Sequence, residues 1–141
     1  MRTTVCLIGL TALALWASDR PVVSGTWQLD PSQAGKLKLA TLEIRQSADT
    51  VAISEEGQGK SKKVDLECGV DGKQCKIKEP NEEISFWYDG ASLVMMEMRH
   101  NNDVVVKTLL EPSGDGKTLK MEVKHIAPSG QKDESYTLTK Q

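Results

Sequence analysis

The sequence predicts an all-β protein, an antiparallel up-and-down meander of about ten strands. Three observations carry that prediction. From Ser24 onward apolar residues alternate with polar ones instead of recurring every three or four positions, which is the strand period. The alternating segments are short and separated by Gly, Pro, Asn, Asp and Ser clusters such as "SAD", "DGK", "EPNEE", "NND" and "SGDGK". Most of these are brief enough to close antiparallel hairpins. No stretch carries a convincing helical stripe; "PSQAGKLKLA" (31–40) offers one helical turn at most, weakened by its glycine.

Residues 1–17, "MRTTVCLIGLTALALWA", stand outside the pattern. Arg2, an uncharged apolar run over 5–16 and the small Ala17 form the order of a secretory signal peptide. The run is shorter than the ~20 apolar residues that span a bilayer. The alternative is an uncut N-terminal anchor helix. Cleavage removes Cys6 and leaves a single domain, 18–141, that is periplasmic or secreted, with no stable membrane span. Without Arg2 that domain has 17 basic against 20 acidic side chains, a formal charge of −3. The signs are interspersed, with no basic block to grip a nucleic acid.

The strands follow in order. "SGTWQLD" turns Trp27 and Leu29 to one face, "TLEIRQ" Leu42 and Ile44, and "TVAIS" Val51 and Ile53. "EEGQGKSKK" (55–63) reads as a polar, mobile loop. "VDLEC" then gives Val64, Leu66 and Cys68, and "QCKIK" gives Cys75 and Ile77. "ISFWYD" turns Ile84, Phe86 and Tyr88 inward and Trp87 outward, whereas "SLVMMEMRH" is apolar on both sides and its parity is ambiguous. "VVVKTLLE" favours Val104, Val106, Thr108 and Leu110, "TLKMEVKH" favours Leu119, Met121, Val123 and His125, and "SYTLTK" favours Tyr136 and Leu138. A sheet of ten such strands hides its apolar face and its edges best by curling into a barrel.

The domain has two cysteines, Cys68 and Cys75, flanking Asp71-Gly72. Asp-Gly is a strong signal for a two-residue hairpin turn. That turn places Cys68 opposite Cys75, within disulfide reach, and export favours pairing. A redox pair is disfavoured because there is no Cys-x-x-Cys. A zinc site with His100 and His125 lacks finger-like spacing, and free thiols or intermolecular pairing stay open. No metal or other cofactor is expected.

Gly25-Thr26-Trp27 at the head of the first strand resembles the start of the calycin barrels, the lipocalins and fatty-acid-binding proteins. The stretch "SGTWQLDPSQA", the turns Asp71-Gly72-Lys73 and Asp115-Gly116-Lys117, and Tyr136 on the last strand resemble exported bacterial lipocalin-like proteins over most of 24–141. The resemblance implies a barrel with the Trp packed across its closed end. Two features depart from it. Lipocalins often carry an Arg on the last strand against the Trp, and that strand offers only Lys140. Fatty-acid-binding proteins have a helix pair after strand one and an internal Arg. Segment 31–40 is too short for the helices, and no Arg falls at an assigned inward position.

The leading functional expectation is a non-catalytic barrel that binds a small apolar or amphipathic molecule. Its candidate lining is Trp27, Leu42, Ile44, Val51, Phe86, Tyr88, Met95, Val106, Met121 and Tyr136. The same residues would equally suit a filled interior. The alternative is a structural or protein-interaction module of the cell envelope, using Trp87 and one face of 93–98. Catalysis has no support: no Gly-x-Ser-x-Gly or comparable nucleophile context occurs, and His125 sits at a strand end.

Overall fold

Alternation along the chain becomes a single ten-stranded sheet in the computed structural model, which describes residues 20–57, 64–75, 77 and 81–141. The strands are β1 (Gly25–Leu29), β2 (Leu39–Gln46), β3 (Thr50–Gly57), β4 (Val64–Gly69), β5 (Asp71–Gln74), β6 (Glu82–Asp89), β7 (Ser92–Arg99), β8 (Val104–Pro112), β9 (Thr118–Ala127) and β10 (Glu134–Lys140). Their spatial order is β4-β3-β2-β1-β10-β9-β8-β7-β6-β5. Every ladder is antiparallel. First and last strands are neighbours, so the meander rolls up into a nearly closed barrel. The expected signal segment 1–17 lies outside the described residues, as does most of the polar loop, since β3 itself runs through Gly57. Among the described residues no helix is long and apolar enough to cross a membrane. The one helical turn in 31–40 is a 3₁₀ turn over Pro31–Gln33, with Asp30 accepting from Ser32 N–H at its start.

The hairpin expected at Asp71-Gly72 does not form. β4 pairs with β3 and β5 with β6, leaving these two consecutive strands as the free edges of the sheet. A type I′ turn needs positive φ at both central residues, and of Asp71 and Gly72 only Gly72 has it, at 76°. Asp71 instead turns its carboxylate onto the Lys73 N–H at 3.0 Å, and Val70 N–H is taken by Asp49 O at 3.0 Å. The chain therefore bends away from β4. The fifth strand also ends earlier than 74–78 predicts, at Gln74, with one further bond from Cys75 N–H to Ile84 O. The Cys68–Cys75 disulfide forms nonetheless, at a Cα separation of 5.4 Å. It joins the two edges of the sheet instead of bracing a hairpin.

The barrel has two unlike ends. One carries the turns at 47–49, 70, 90–91 and 113–117, the other the segments 30–38, 100–103 and 128–133. The first end is closed. Trp27, Leu42, Ile44, Val51, Phe86, Leu93, Leu119 and Leu138 are fully buried there, each contributing roughly 1.5–3 kcal/mol by leaving water. Trp27 donates its indole N–H to Val23 O at 2.8 Å, which satisfies its polar atom. Lys140, opposite Trp27 on β10, holds its ammonium 5.3 Å from the ring centroid. Lysine thus fills the place where lipocalins use arginine. Gly25 makes the approach possible: its φ is 145°, and a Cβ there would sit 2.7 Å from Lys140 Cε.

Candidate functional site

The second end of the barrel holds a cavity of about 390 Å³ that opens to solvent. Strand alternation builds its walls. On β7 the odd positions face inward, so Leu93 joins the core and Met95, Glu97 and Arg99 follow toward the mouth. On β8 Val104, Val106 and Thr108 take the inward phase, and on β9 Met121, Val123 and His125 do. On β3 the series Val51, Ile53 enters the core and its next member, Glu55, reaches the cavity. Leu37 and Leu39, from the segment that crosses the mouth before β2, complete the apolar wall, and Gln131 lies at the rim.

Of the ten residues expected to line an internal site, Met95, Val106 and Met121 face this cavity. The other seven do not. Trp27, Leu42, Ile44, Val51 and Phe86 pack solidly at the closed end. Tyr88 packs against that core, its hydroxyl accepting from Gln46 Nε2 at 2.9 Å. Tyr136 is buried near the mouth, its single hydroxyl hydrogen donated to the Glu134 carboxylate, with Lys36 O of the 30–38 segment 3.4 Å away. Burial, and then the hydrogen bond and charge of Glu134, push the Tyr136 hydroxyl up to about 12.

The polar groups of the cavity were mostly invisible in sequence. Glu97 and Arg99 belong to the strand whose parity was ambiguous. Glu55 could be found by extending the Val51-Ile53 alternation one step into a segment that reads as loop. The expectation of no inward arginine is therefore corrected: Arg99 faces the cavity. It is not a free cation. Its guanidinium donates to Glu97 and lies 3.4 Å from Glu82 Oε1. Glu97 is the more buried partner, with 17% of its side chain exposed against 43% for Arg99. Burial, and secondarily the charge of Glu97, raise the Glu55 carboxyl above its ordinary 4.5. His125 Nε2 stands 3.7 Å from Glu134 Oε1.

The space opens to solvent at the mouth, and its wall sets Glu55, Glu97, Arg99, Thr108 and His125 among the apolar side chains, so it is not a dry void. The space must hold water or a ligand, and its size falls at the lower end of ordinary ligand pockets. On the outer surface, Trp87 points away from the interior as expected, opposite Val94, which in turn lies opposite Leu109. Val94 is fully buried and Lys107 covers the Trp87 ring at 5.9 Å. This outward row largely packs on itself.

No family model matches the chain, and no curated protein matches it. Solved structures do. An SAHS (secretory abundant heat soluble) protein of Ramazzottius varieornatus superposes with a TM-score of 0.68 at 14% identity, over 86% of this chain and 96% of that one. Fatty-acid-binding protein 1 of Echinococcus granulosus gives 0.61 at 13%, over 84% and 96%. Lipid binding protein 8 of Caenorhabditis elegans gives 0.63 at 13%, over 84% and 94%. The fold is a calycin-type β-barrel. Its strands number ten, against eight in a lipocalin barrel. Between β1 and β2 the chain carries only the 3₁₀ turn and the segment through Lys38, with no helix pair.

Proposed function

We propose that this is an exported, lipocalin-like calycin barrel that binds a small apolar or amphipathic molecule in its mouth-end cavity and catalyses no reaction. The observation that carries the reading is the division of the interior. One half is filled by fully buried side chains, while the other keeps about 390 Å³ walled by Leu37, Leu39, Met95, Val104, Val106 and Met121. A protein with no use for that space gains stability by filling it. Methionines supply an adaptable wall. The names of two structural neighbours, a fatty-acid-binding protein and a lipid binding protein, agree with this use of the fold. Export is supported by the charge, apolar run and small residue of 1–17, and by a disulfide of the kind that persists in oxidising compartments.

Mass spectrometry of an organic extract of the purified protein tests the binding. The expected result is a small apolar molecule at a constant ratio to protein, and saturable uptake of a neutral apolar fluorophore such as Nile red once it is stripped. An extract without such a molecule, together with no saturable uptake, refutes the reading. N-terminal sequencing of the exported protein should begin near Ser18.

A further inference from the structure

The polar groups of the cavity specify what kind of head the ligand carries. Among the described lining residues Arg99 is the sole arginine or lysine, and it is already shared between Glu97 and Glu82. Glu55 and Glu97 set two carboxylates against that one guanidinium. Glu55 makes no hydrogen bond or ion pair with any described residue, although it is half-buried and faces an apolar chamber. A carboxylate so placed is costly unless something donates to it. Neither Thr108 nor His125, the other polar groups facing the same space from β8 and β9, bonds to it.

We propose that the cavity takes an amphipathic molecule with a cationic amine head, its chain against Met95, Val106 and Met121 and its ammonium donating to the Glu55 and Glu97 carboxylates. The inference rests on the cavity being a ligand site and adds the class of ligand. An ammonium carries three donors and no acceptor, which suits two lining carboxylates that face a single guanidinium already shared with Glu82. Bonds between charged partners are roughly twice as strong as neutral ones. A fatty carboxylate in the same pose would bring a third anion beside Glu55 and Glu97, with no uncommitted arginine or lysine among the described lining residues to meet it. Arg99 therefore acts by orienting Glu97.

The test compares three ligands of one chain length, dodecylamine, dodecanol and dodecanoate, titrated calorimetrically into the stripped protein at low ionic strength. The amine should bind about tenfold more tightly than the alcohol, the scale of one charge-assisted bond, and the carboxylate should bind most weakly. In Glu55→Gln the ratio of amine to alcohol affinity should fall toward one. The wild-type ranking decides the matter even if that variant fails to fold. Equal or tighter binding of the carboxylate overturns the inference, as does an amine-to-alcohol ratio that Glu55→Gln does not move. Binding of the alcohol with no preference for the amine overturns this inference and leaves the cavity reading standing. Binding of none of the three overturns both.

Discussion

Four hydrogen bonds converge on Gln46 and close the bottom of the barrel. Its side-chain oxygen accepts from Val23 N–H at 2.7 Å and Ser24 N–H at 2.9 Å, and its nitrogen donates to Pro21 O at 3.0 Å and Tyr88 Oη at 2.9 Å. Arg20, 5.4 Å from the Tyr88 ring centroid, extends the same plug. An amide suits this place because it offers two acceptor sites and two donors at once, which neither a carboxylate nor an amine does. Gln46→Ala strands two part-buried N–H groups and should cost about 2–3 kcal/mol. Urea unfolding followed by tryptophan fluorescence measures it, and a loss too small to resolve would show that the plug contributes nothing. Glu55 sets up the opposite situation. Its carboxyl is raised in the folded state, so the folded protein holds that proton more tightly than the unfolded chain does. Its contribution to stability is therefore favourable at acid pH and is lost as pH rises through the folded value, which lies above 4.5. Glu55→Gln should raise the melting temperature at about pH 7, and the gain should shrink as pH falls toward the ordinary carboxyl range. A gain that is the same at both ends of that range would mean Glu55 is not the group responsible.

Strands are local in sequence and partners are not, and β4 and β5 show where that difference falls. Alternation in "TLKMEVKH" or "VVVKTLLE" is enough to place β9 and β8, since each pairs with its neighbour in the chain across a short turn. At Asp71-Gly72 the same logic fails. Local turn chemistry favours a hairpin, but β4 is held by β3 and β5 by β6, and barrel closure between β1 and β10 leaves those two strands as edges. No residue in 64–75 encodes that closure. The cysteine pairing was legible because 5.4 Å between Cα atoms is reached either way, across a hairpin or across a gap. Its mechanical meaning was not. Because β4 and β5 share no ladder, the disulfide is a second covalent tie between the sheet edges, beside the chain itself at Val70. Replacing both cysteines with alanine should cost about 2.5 kcal/mol on the loop-entropy model. Hydrogen exchange should also quicken in β4 and β5 before the central strands β1, β10 and β9. Uniform quickening over all ten strands would mean that the barrel opens elsewhere.

At the scale of the whole molecule the interior is two compartments, one solid and one hollow, and periodicity alone does not separate them. Alternation correctly turns Val51 and Val106 inward, yet Val51 is sealed in the closed end and Val106 faces the cavity. The distinction depends on distance along each strand from the closed end, which only the register of the completed sheet supplies. The site's charged residues were hidden for a related reason. A strand apolar on both faces, such as β7, gives no parity by itself; its odd positions turn inward because Met95 lies opposite Phe86 on β6 and Thr108 on β8, whose phase is clear. The two compartments answer oppositely to the same substitution. Val106→Trp adds bulk where space exists, so the fold should persist, with stability unchanged or raised by about 0.5–2 kcal/mol, the usual gain from filling a cavity. Saturable uptake of the neutral fluorophore should disappear. Val51→Trp forces the same bulk into a closed-end core with no room for it and should cost about 1–3 kcal/mol or more, while fluorophore uptake in the folded fraction stays near that of the unaltered protein. Thermal melts and fluorophore titrations on the two variants together decide the matter. If both lose stability equally, the mouth-end space is too small to admit a side chain and therefore too small to admit a ligand. If Val106→Trp folds well yet still takes up the fluorophore, binding occurs outside the barrel, and the outward row of Trp87, Val94 and Leu109 becomes the surface to examine.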